Sequence, residues 1–267
     1  MAVRILLLFA LLCCLLPAQA ARAATDIENT VLFNEANDFF RQGSARPPDQ
    51  GRELYEKALH RYQKLVDAGI DNGRLYTNIA NTWYRLGDLG RATVNYRRAL
   101  AYLPDDPGLR HNAEFVFSLR RDRIEPRQQD KVLQTLFFWH YDLPYRVRLL
   151  LFSSCYVLTW GLAMLRLRPA AGIGKRMLAG ALVLTLLLAG SLGIDMVRAR
   201  TERAGVVVAA EIIARKGDGL AYQPAFTEPL HAGTEFRLVE RRGNWLQVEL
   251  ASGSRCWLPA AAVEMVF

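Results

Sequence analysis

Residues 73–106 read GRLYTNIANTWYRLGDLGRATVNYRRALAYLPDD, and the architecture of the chain follows from this stretch. The bulky Tyr76, Trp83 and Tyr96 and the small Ala80, Ala92 and Ala99 fall at helical spacing in two runs separated by Gly87-Asp88. Small residues let two helix backbones approach, and the large ones fill the space between them. Gly87 makes the turn and Pro104 stops the second run. The stretch predicts two antiparallel helices joined by a tight turn.

With Ile79 added, these positions resemble the tetratricopeptide repeat, a 34-residue helix–turn–helix unit. A degenerate first copy covers Asp26 to Asn72, where Ala36, Phe39, Gly43, Tyr55, Ala58, Tyr62 and Leu65 take the same roles. This register requires SARPPDQGRE to be an inserted loop between the two helices, as its Pro, Gly and polar residues suggest. Asn34, Asn78 and Asn112 recur at one repeat position, and Asn37 and Asn81 at another. Pro107 to Arg123 supplies one more helix, the start of a third repeat or a cap, with Leu109, Ala113, Val116, Phe117 and Leu119 apolar. Stacked repeats bury their faces only against neighbours, so residues 25–125 are expected to form a minimal all-α solenoid.

The chain is 51% hydrophobic and carries a formal net charge of +8, with a pI near 9.5. Such a balance suits nucleic acid, anionic lipid or an acidic partner, and compartment decides among them. Residues 1–24 have the pattern of a secretory signal peptide. Arg4 precedes the apolar run Ile5–Leu16, Pro17 and a cleavage site at Ala18-Gln19-Ala20, or later within Ala21–Ala24. An uncleaved anchor would export the downstream chain equally well. Cleavage removes Arg4, with or without Arg22, so the exported chain stays basic and nucleic acid is not expected as a partner. Cys13 and Cys14 lack the preceding small residue of a lipoprotein site. Cys155 and Cys256 lie in unlike segments, so neither a disulfide nor a Cys-based metal site is expected.

Residues 126–146 read as a charged linker followed by an interfacial aromatic segment. Phe137-Phe138-Trp139-His140-Tyr141 and Pro144-Tyr145 crowd aromatic rings just before an apolar run, as at a membrane–water interface. Residues 147–167 and 177–196 are two expected transmembrane helices. The loop 168–176, with Arg168, Lys175 and Arg176 beside Arg166, is expected in the cytoplasm. Arg146, Arg148, Arg198, Arg200 and Arg203 on the other flanks weaken the charge rule. Parity supports it, since an exported amino terminus and two spans put both ends in the periplasm of a bacterial inner membrane. Ala189-x-x-x-Gly193 could pack helix on helix, and Asp195 reads as an interfacial charge. Residues 197–205 form a second linker.

From Val206 the period becomes two. Runs at 206–208, 236–239, 245–250 and 256–258 are separated by Gly217-Asp218-Gly219, Arg242-Gly243-Asn244 and Ser252-Gly253, which predicts a small all-β barrel over 206–267. Leu230-x-x-Gly233-Thr234-x-Phe236, Gly243-x-Trp245 and Trp257-Leu258-Pro259 resemble a bacterial SH3-like domain. The resemblance departs at Ile212-Ile213-Ala214-Arg215, where the usual polar loop is more apolar.

His60, His111, His140 and His231 are isolated in sequence, and no motif for a metal or cofactor is present. Gly172-Ile173-Gly174-Lys175 lacks the spacing and hydroxyl of a phosphate loop. Cys256 has two readings, a nucleophile or a small buried hydrophobe; its strand position favours the second. No nucleophile–base constellation is visible, so no enzymatic activity is expected. Binding surface is what remains. The repeat register places Phe33, Asn37, Phe40 and Arg41, then Thr77, Asn81, Tyr84 and Arg85, and finally His111, on a concave groove for a protein segment. Asn at such positions is equally a feature of the repeat itself. Arg97, Arg98, Arg120, Arg121 and Arg123 read as a solvated basic face, with apposition to acidic headgroups the alternative. Tyr222, Phe226, Trp245 and Trp257 could line an aromatic groove in the barrel, with core packing the alternative for the two Trp.

Taken in order, the chain resembles the Bat (Bacteroides aerotolerance, BatE-like) group of membrane proteins with tetratricopeptide and SH3-like domains. The residues behind this are Ala80-x-x-Trp83-x-x-x-Gly87-Asp88, Asn95-Tyr96-Arg97-Arg98-Ala99-Leu100 and Asp106-Pro107-x-Leu109-Arg110-x-Asn112. The resemblance implies an adaptor that works with von Willebrand-type membrane proteins and a MoxR-like ATPase in envelope stress. A different class of function, binding of peptidoglycan peptides or assistance to a wall hydrolase through the SH3-like domain, is the alternative.

Overall fold

The computed structural model describes residues 26–167, 175–201 and 203–267; the expected signal peptide and most of the expected loop 168–176 lie outside them. Five helices form the amino-terminal stack: α1 (26–44), α2 (Pro48–Asp67), α3 (Gly73–Leu86), α4 (Leu89–Tyr102) and α5 (Pro107–Ser118). Asn72, Asp88 and Asp106 cap α3, α4 and α5, each side chain accepting from the backbone N–H three residues on. Gly87, at φ 84°, ends α3 in the left-handed conformation. One core runs through the stack, with Ala36, Ala58, Ala80, Ala92, Ala99 and Ala113 fully buried between larger side chains.

The expected loop SARPPDQGRE is mostly helix. The connection spans only 45–47, and Pro48 opens α2 at a position where its missing N–H costs nothing. The inserted residues lengthen the second helix to 20 residues, against 14 in α4. Gly51 permits this, because a Cβ there would lie 2.7 Å from the Gly43 carbonyl oxygen.

After α5 the chain runs as a strap to α6 (Gln128–Leu136) and α7 (Phe138–Tyr141), so the expected linker is largely structured. Among the described residues, two helices are long and apolar enough to cross a membrane, α8 (Tyr145–Arg166) and α9 (Lys175–Thr201). They pack along Thr159 and Thr185, whose hydroxyls lie 3.0 Å apart. A Cβ on Gly193 would meet nothing within 4 Å, so the small-residue pattern does not pack this hairpin. Asp195 is not a lone interfacial charge. It accepts from Arg148 at 2.6 Å, and Arg148 also reaches Ser191 Oγ, His140 Nδ1 and the Leu143 carbonyl.

The carboxyl-terminal part is a five-stranded antiparallel sheet in the order β6-β5-β4-β1-β7, with β2 and β3 as a separate ribbon. The strands are β1 (Ala204–Val207), β2 (Glu211–Ile212), β3 (Leu230–His231), β4 (Glu235–Arg242), β5 (Trp245–Leu250), β6 (Arg255–Pro259) and β7 (Val263–Met265). The expected linker 197–205 is absent as such, because α9 continues to Thr201 and β1 begins at Ala204.

The sheet is docked on α4. Gly90 makes the docking possible: a Cβ there would sit 2.7 Å from Val208 Cα and 2.8 Å from the Val207 carbonyl oxygen. One turn on, Val94 is fully buried with Val206 and Val266. Arg97, Arg98 and Arg120 are therefore not a solvated basic face. Arg97 and Arg120 both donate to Glu235, and both stand over the Phe117 ring, at 4.4 and 4.8 Å. Arg98 donates to the Met265 and Val266 carbonyls and pairs with Glu264.

Candidate functional site

The concave side of the stack holds an open cleft of about 580 Å³, lined by Asn34, Asn37, Asp38, Phe40, Arg41, Tyr62, Asn78 and Asn81. Four expected groove residues are brought together here: Asn37, Phe40, Arg41 and Asn81. Asn34, Asp38, Tyr62 and Asn78 were not expected. Asn34 and Asn78 were visible as a recurrence, which fixed the register without revealing that α1 and α3 turn this position toward a common space.

The cleft is braced by a bond repeated in both helix pairs. Tyr62 donates to Asn37 Oδ1 at 2.7 Å, and Tyr96 donates to Asn81 Oδ1. Burial pushes both phenols up, Tyr96 to about 12, so each hydroxyl remains a donor. Asn78 Nδ2 also donates to Asn37 Oδ1, at 2.9 Å, which ties α1 to α3. The carbonyl ends of Asn37 and Asn81 are thus committed to the fold, so these two amides offer a partner their N–H groups, beside the Arg41 guanidinium and the Asp38 carboxylate. Arg41 pairs with Asp38 on the exposed rim. The arrangement suits an extended chain, whose backbone can pair with side-chain amides and which carries a charged side chain for the rim.

Five other expected residues lie outside this cleft. Phe33 packs edge-on against Tyr62 at 6.1 Å, and Tyr84 against Phe115 at 5.8 Å. The Thr77 hydroxyl turns back to the Gly73 carbonyl of its own helix. Arg85 and His111 are exposed elsewhere.

The expected aromatic groove of the sheet does not assemble. Trp257 is 5% exposed with Arg242 above its ring, and Phe226 packs against the sheet core. Trp245 sits half-buried opposite Pro259, while Tyr222 covers Gly217 and is half exposed. Only Tyr222 presents a large free ring surface.

His231 is not isolated. Asp122, on the strap, accepts from the His231 backbone N–H and pairs with its Nδ1, both at 2.7 Å, and also accepts from Thr234 Oγ1. Burial pushes the Asp122 carboxyl up, but these hydrogen bonds outweigh it and hold the group below its ordinary value. A His oriented by a carboxylate is half of a catalytic triad. Here the other ring nitrogen is sealed from solvent and meets no hydroxyl, and Thr234 bonds to the carboxylate instead. Cys256 is buried, and burial pushes its thiol up to about 12, far from a thiolate. Among the described residues no group of three His, Cys, Asp or Glu side chains could hold a metal ion.

Compared with known proteins, the sequence matches no protein-family model. It likewise matches no curated protein.

Proposed function

We propose that the chain is a non-enzymatic, membrane-anchored adaptor that holds an extended protein segment in the cleft of its helical stack. The observation that carries this reading is the cleft itself: an open concavity floored by Phe40 and Tyr62, rimmed by asparagine amides and by Arg41. In this reading His231 and Cys256 are structural, the first with its free ring nitrogen sealed from solvent and the second with its thiol buried. In this reading the stack is a pair of tetratricopeptide repeats and the sheet an SH3-like domain. Both lie on the periplasmic side of a bacterial inner membrane, with α8 and α9 as the anchor.

The adaptor we propose has one rigid head rather than two tethered ones. The sheet shares α4 with the stack, so a partner in the cleft and a partner on the sheet are held at a fixed angle. The resemblance to the Bat group directs the search to von Willebrand-type membrane proteins as partners. The test is crosslinking in cells from a photoreactive residue at Arg41, followed by detergent capture of the full chain and mass spectrometry. Recovery of a discrete membrane protein, lost when Asn78 becomes Leu, is the expected result. Recovery of wall fragments alone would move binding to the sheet and overturn the cleft reading.

A further inference from the structure

Where α7 meets the α8–α9 hairpin, four polar side chains close on one another. His140 of α7, Arg148 of α8 and Ser191 of α9 are all buried. One amino nitrogen of Arg148 donates to Ser191 Oγ at 2.8 Å and lies 2.9 Å from His140 Nδ1; the other donates to Asp195 at 2.6 Å. Ser191 Oγ lies 2.9 Å from the same Nδ1. A guanidinium donates and never accepts, so the Nδ1 beside it must be an acceptor. His140 is therefore a neutral ring with its proton on Nε2, 3.7 Å from Asp195 Oδ1.

The ties between α7 and the hairpin are chiefly polar. A hollow of about 350 Å³ lies between Leu133, Phe137 and Trp139 on one side and Leu186, Leu187 and Ile194 of α9 on the other, where close apolar packing would otherwise hold the two together. Arg148 Nε donates to the Leu143 carbonyl, and the Arg198 guanidinium stands 5.9 Å from the Tyr141 ring centre. At its other end the strap is pinned to the sheet, by Asp122 on His231 and Thr234 and by Arg127 on Glu249. Head and hairpin are thus joined through two polar anchors with different titrating groups.

We propose that His140 is a pH-sensitive catch, whose protonation frees α7 from the hairpin and so loosens the head on its membrane helices. A second ring proton can go only to Nδ1, where it meets the Arg148 N–H at 2.9 Å. Ser191 Oγ can accept the new N–H, but the Arg148 N–H then points at a cation in place of an acceptor. The charged and titratable side chains around His140 are Arg148 from α8, Asp195 and Arg198 from α9, and its neighbour Tyr141. Burial holds the ring below its ordinary value; Asp195 opposes this, and Arg148 and Arg198 add to it. Released, the ring binds a proton more readily than when caught. The catch therefore holds above the ordinary value of about 6.5 and weakens as pH falls from there toward the folded value. The Asp122 carboxyl, held below its own ordinary value, stays charged through this window. Mild acid thus frees one anchor and leaves the other. The catch is independent of what the cleft holds, so either reading can fail without the other.

The test is hydrogen–deuterium exchange of the full chain in nanodiscs across the range from about pH 7.5 to about pH 5.5, corrected for the intrinsic pH dependence of exchange. The reporting amides are those of His140, Tyr141 and Asp142, which bond back to the Phe137 and Phe138 carbonyls. Their exchange should rise below about pH 6.5 by up to about tenfold per pH unit, the limit set by uptake of one proton. The His231 amide, which donates to Asp122, should not change over the same range. His140→Gln removes the titrating group, and the pH dependence should vanish whether or not the glutamine keeps α7 docked. A flat profile in the unmutated protein, a pH dependence that survives His140→Gln, or a parallel rise at the His231 amide would each overturn the proposal.

Discussion

The cleft and the α4–sheet junction draw on the same helical stack, yet they are built on opposite principles. The cleft is open, polar and held by bonds that recur from one helix pair to the next, Tyr62 to Asn37 and Tyr96 to Asn81. The junction is closed and occurs once. It combines a backbone approach at Gly90, the Val94–Val206–Val266 contact and guanidinium–carboxylate bonds. A repeated bond spreads its load across the stack. A unique close approach concentrates it at one residue, so the two regions should differ sharply in their response to single substitutions.

The largest effect is expected at Gly90. Gly90→Leu drives a side chain into the backbone of residues 207–208, and overpacking of this kind costs about 3 kcal/mol. Thermal melts should show the loss, and limited proteolysis should open the chain near residues 203–205 while the stack persists. Asp122→Ala comes next, at about 2 kcal/mol, because it strips partners from Thr234 and from the buried His231 together. That contribution has a pH signature. The Asp122 carboxyl titrates lower when folded than when unfolded, so its stabilisation is fully present above the unfolded value of about 4 and lost as pH falls through the folded value. Denaturation midpoints of wild type and Asp122→Asn should therefore converge in acid and separate toward neutrality.

In the cleft the effects shrink. Tyr62→Phe and Tyr96→Phe should each cost about 1 kcal/mol, and nearly equally, if the two bonds are true equivalents. Urea titration of the pair of variants checks this; unequal losses would break the repeat symmetry. Arg41→Ala removes an exposed ion pair worth about 0.5 kcal/mol or less, so the melting temperature should barely move while partner capture falls.

The same contrast governs what could be read in the sequence. Helix pairs, the turn at Gly87 and the apolar hairpin follow from local spacing, and Asn37, Phe40, Arg41 and Asn81 were legible because they recur with it. Strands β1, β4, β5 and β6 were legible from their alternation and glycine turns, whereas the two-residue β2 and β3 were not. The junction was not, because Gly90 and Val94 are unremarkable within one helix and acquire meaning only when β1 arrives from more than a hundred residues on. Arg97 and Arg120 look like solvent-facing charges until Glu235 is placed between them. Asp122 reads as no more than the end of the last expected helix for the same reason, since its partners His231 and Thr234 lie more than a hundred residues on. The insert SARPPDQGRE misled differently: its Pro and Gly suggest a loop, whereas Pro48 starts a helix and Gly51 lets that helix pass Gly43.

The most direct measurement is the distance distribution between spin labels on either side of the junction, in the full chain in nanodiscs. Glu114→Cys on α5 and Arg241→Cys on β4, both exposed, serve as label sites in a background with Cys13, Cys14 and Cys155 replaced by Ser, with Cys256 buried and unreactive. A single narrow distribution, unchanged by salt and broadened by Gly90→Leu, is the result expected of one rigid head. A broad distribution in the unmutated protein, insensitive to Gly90→Leu, would show two independently tethered lobes and contradict it.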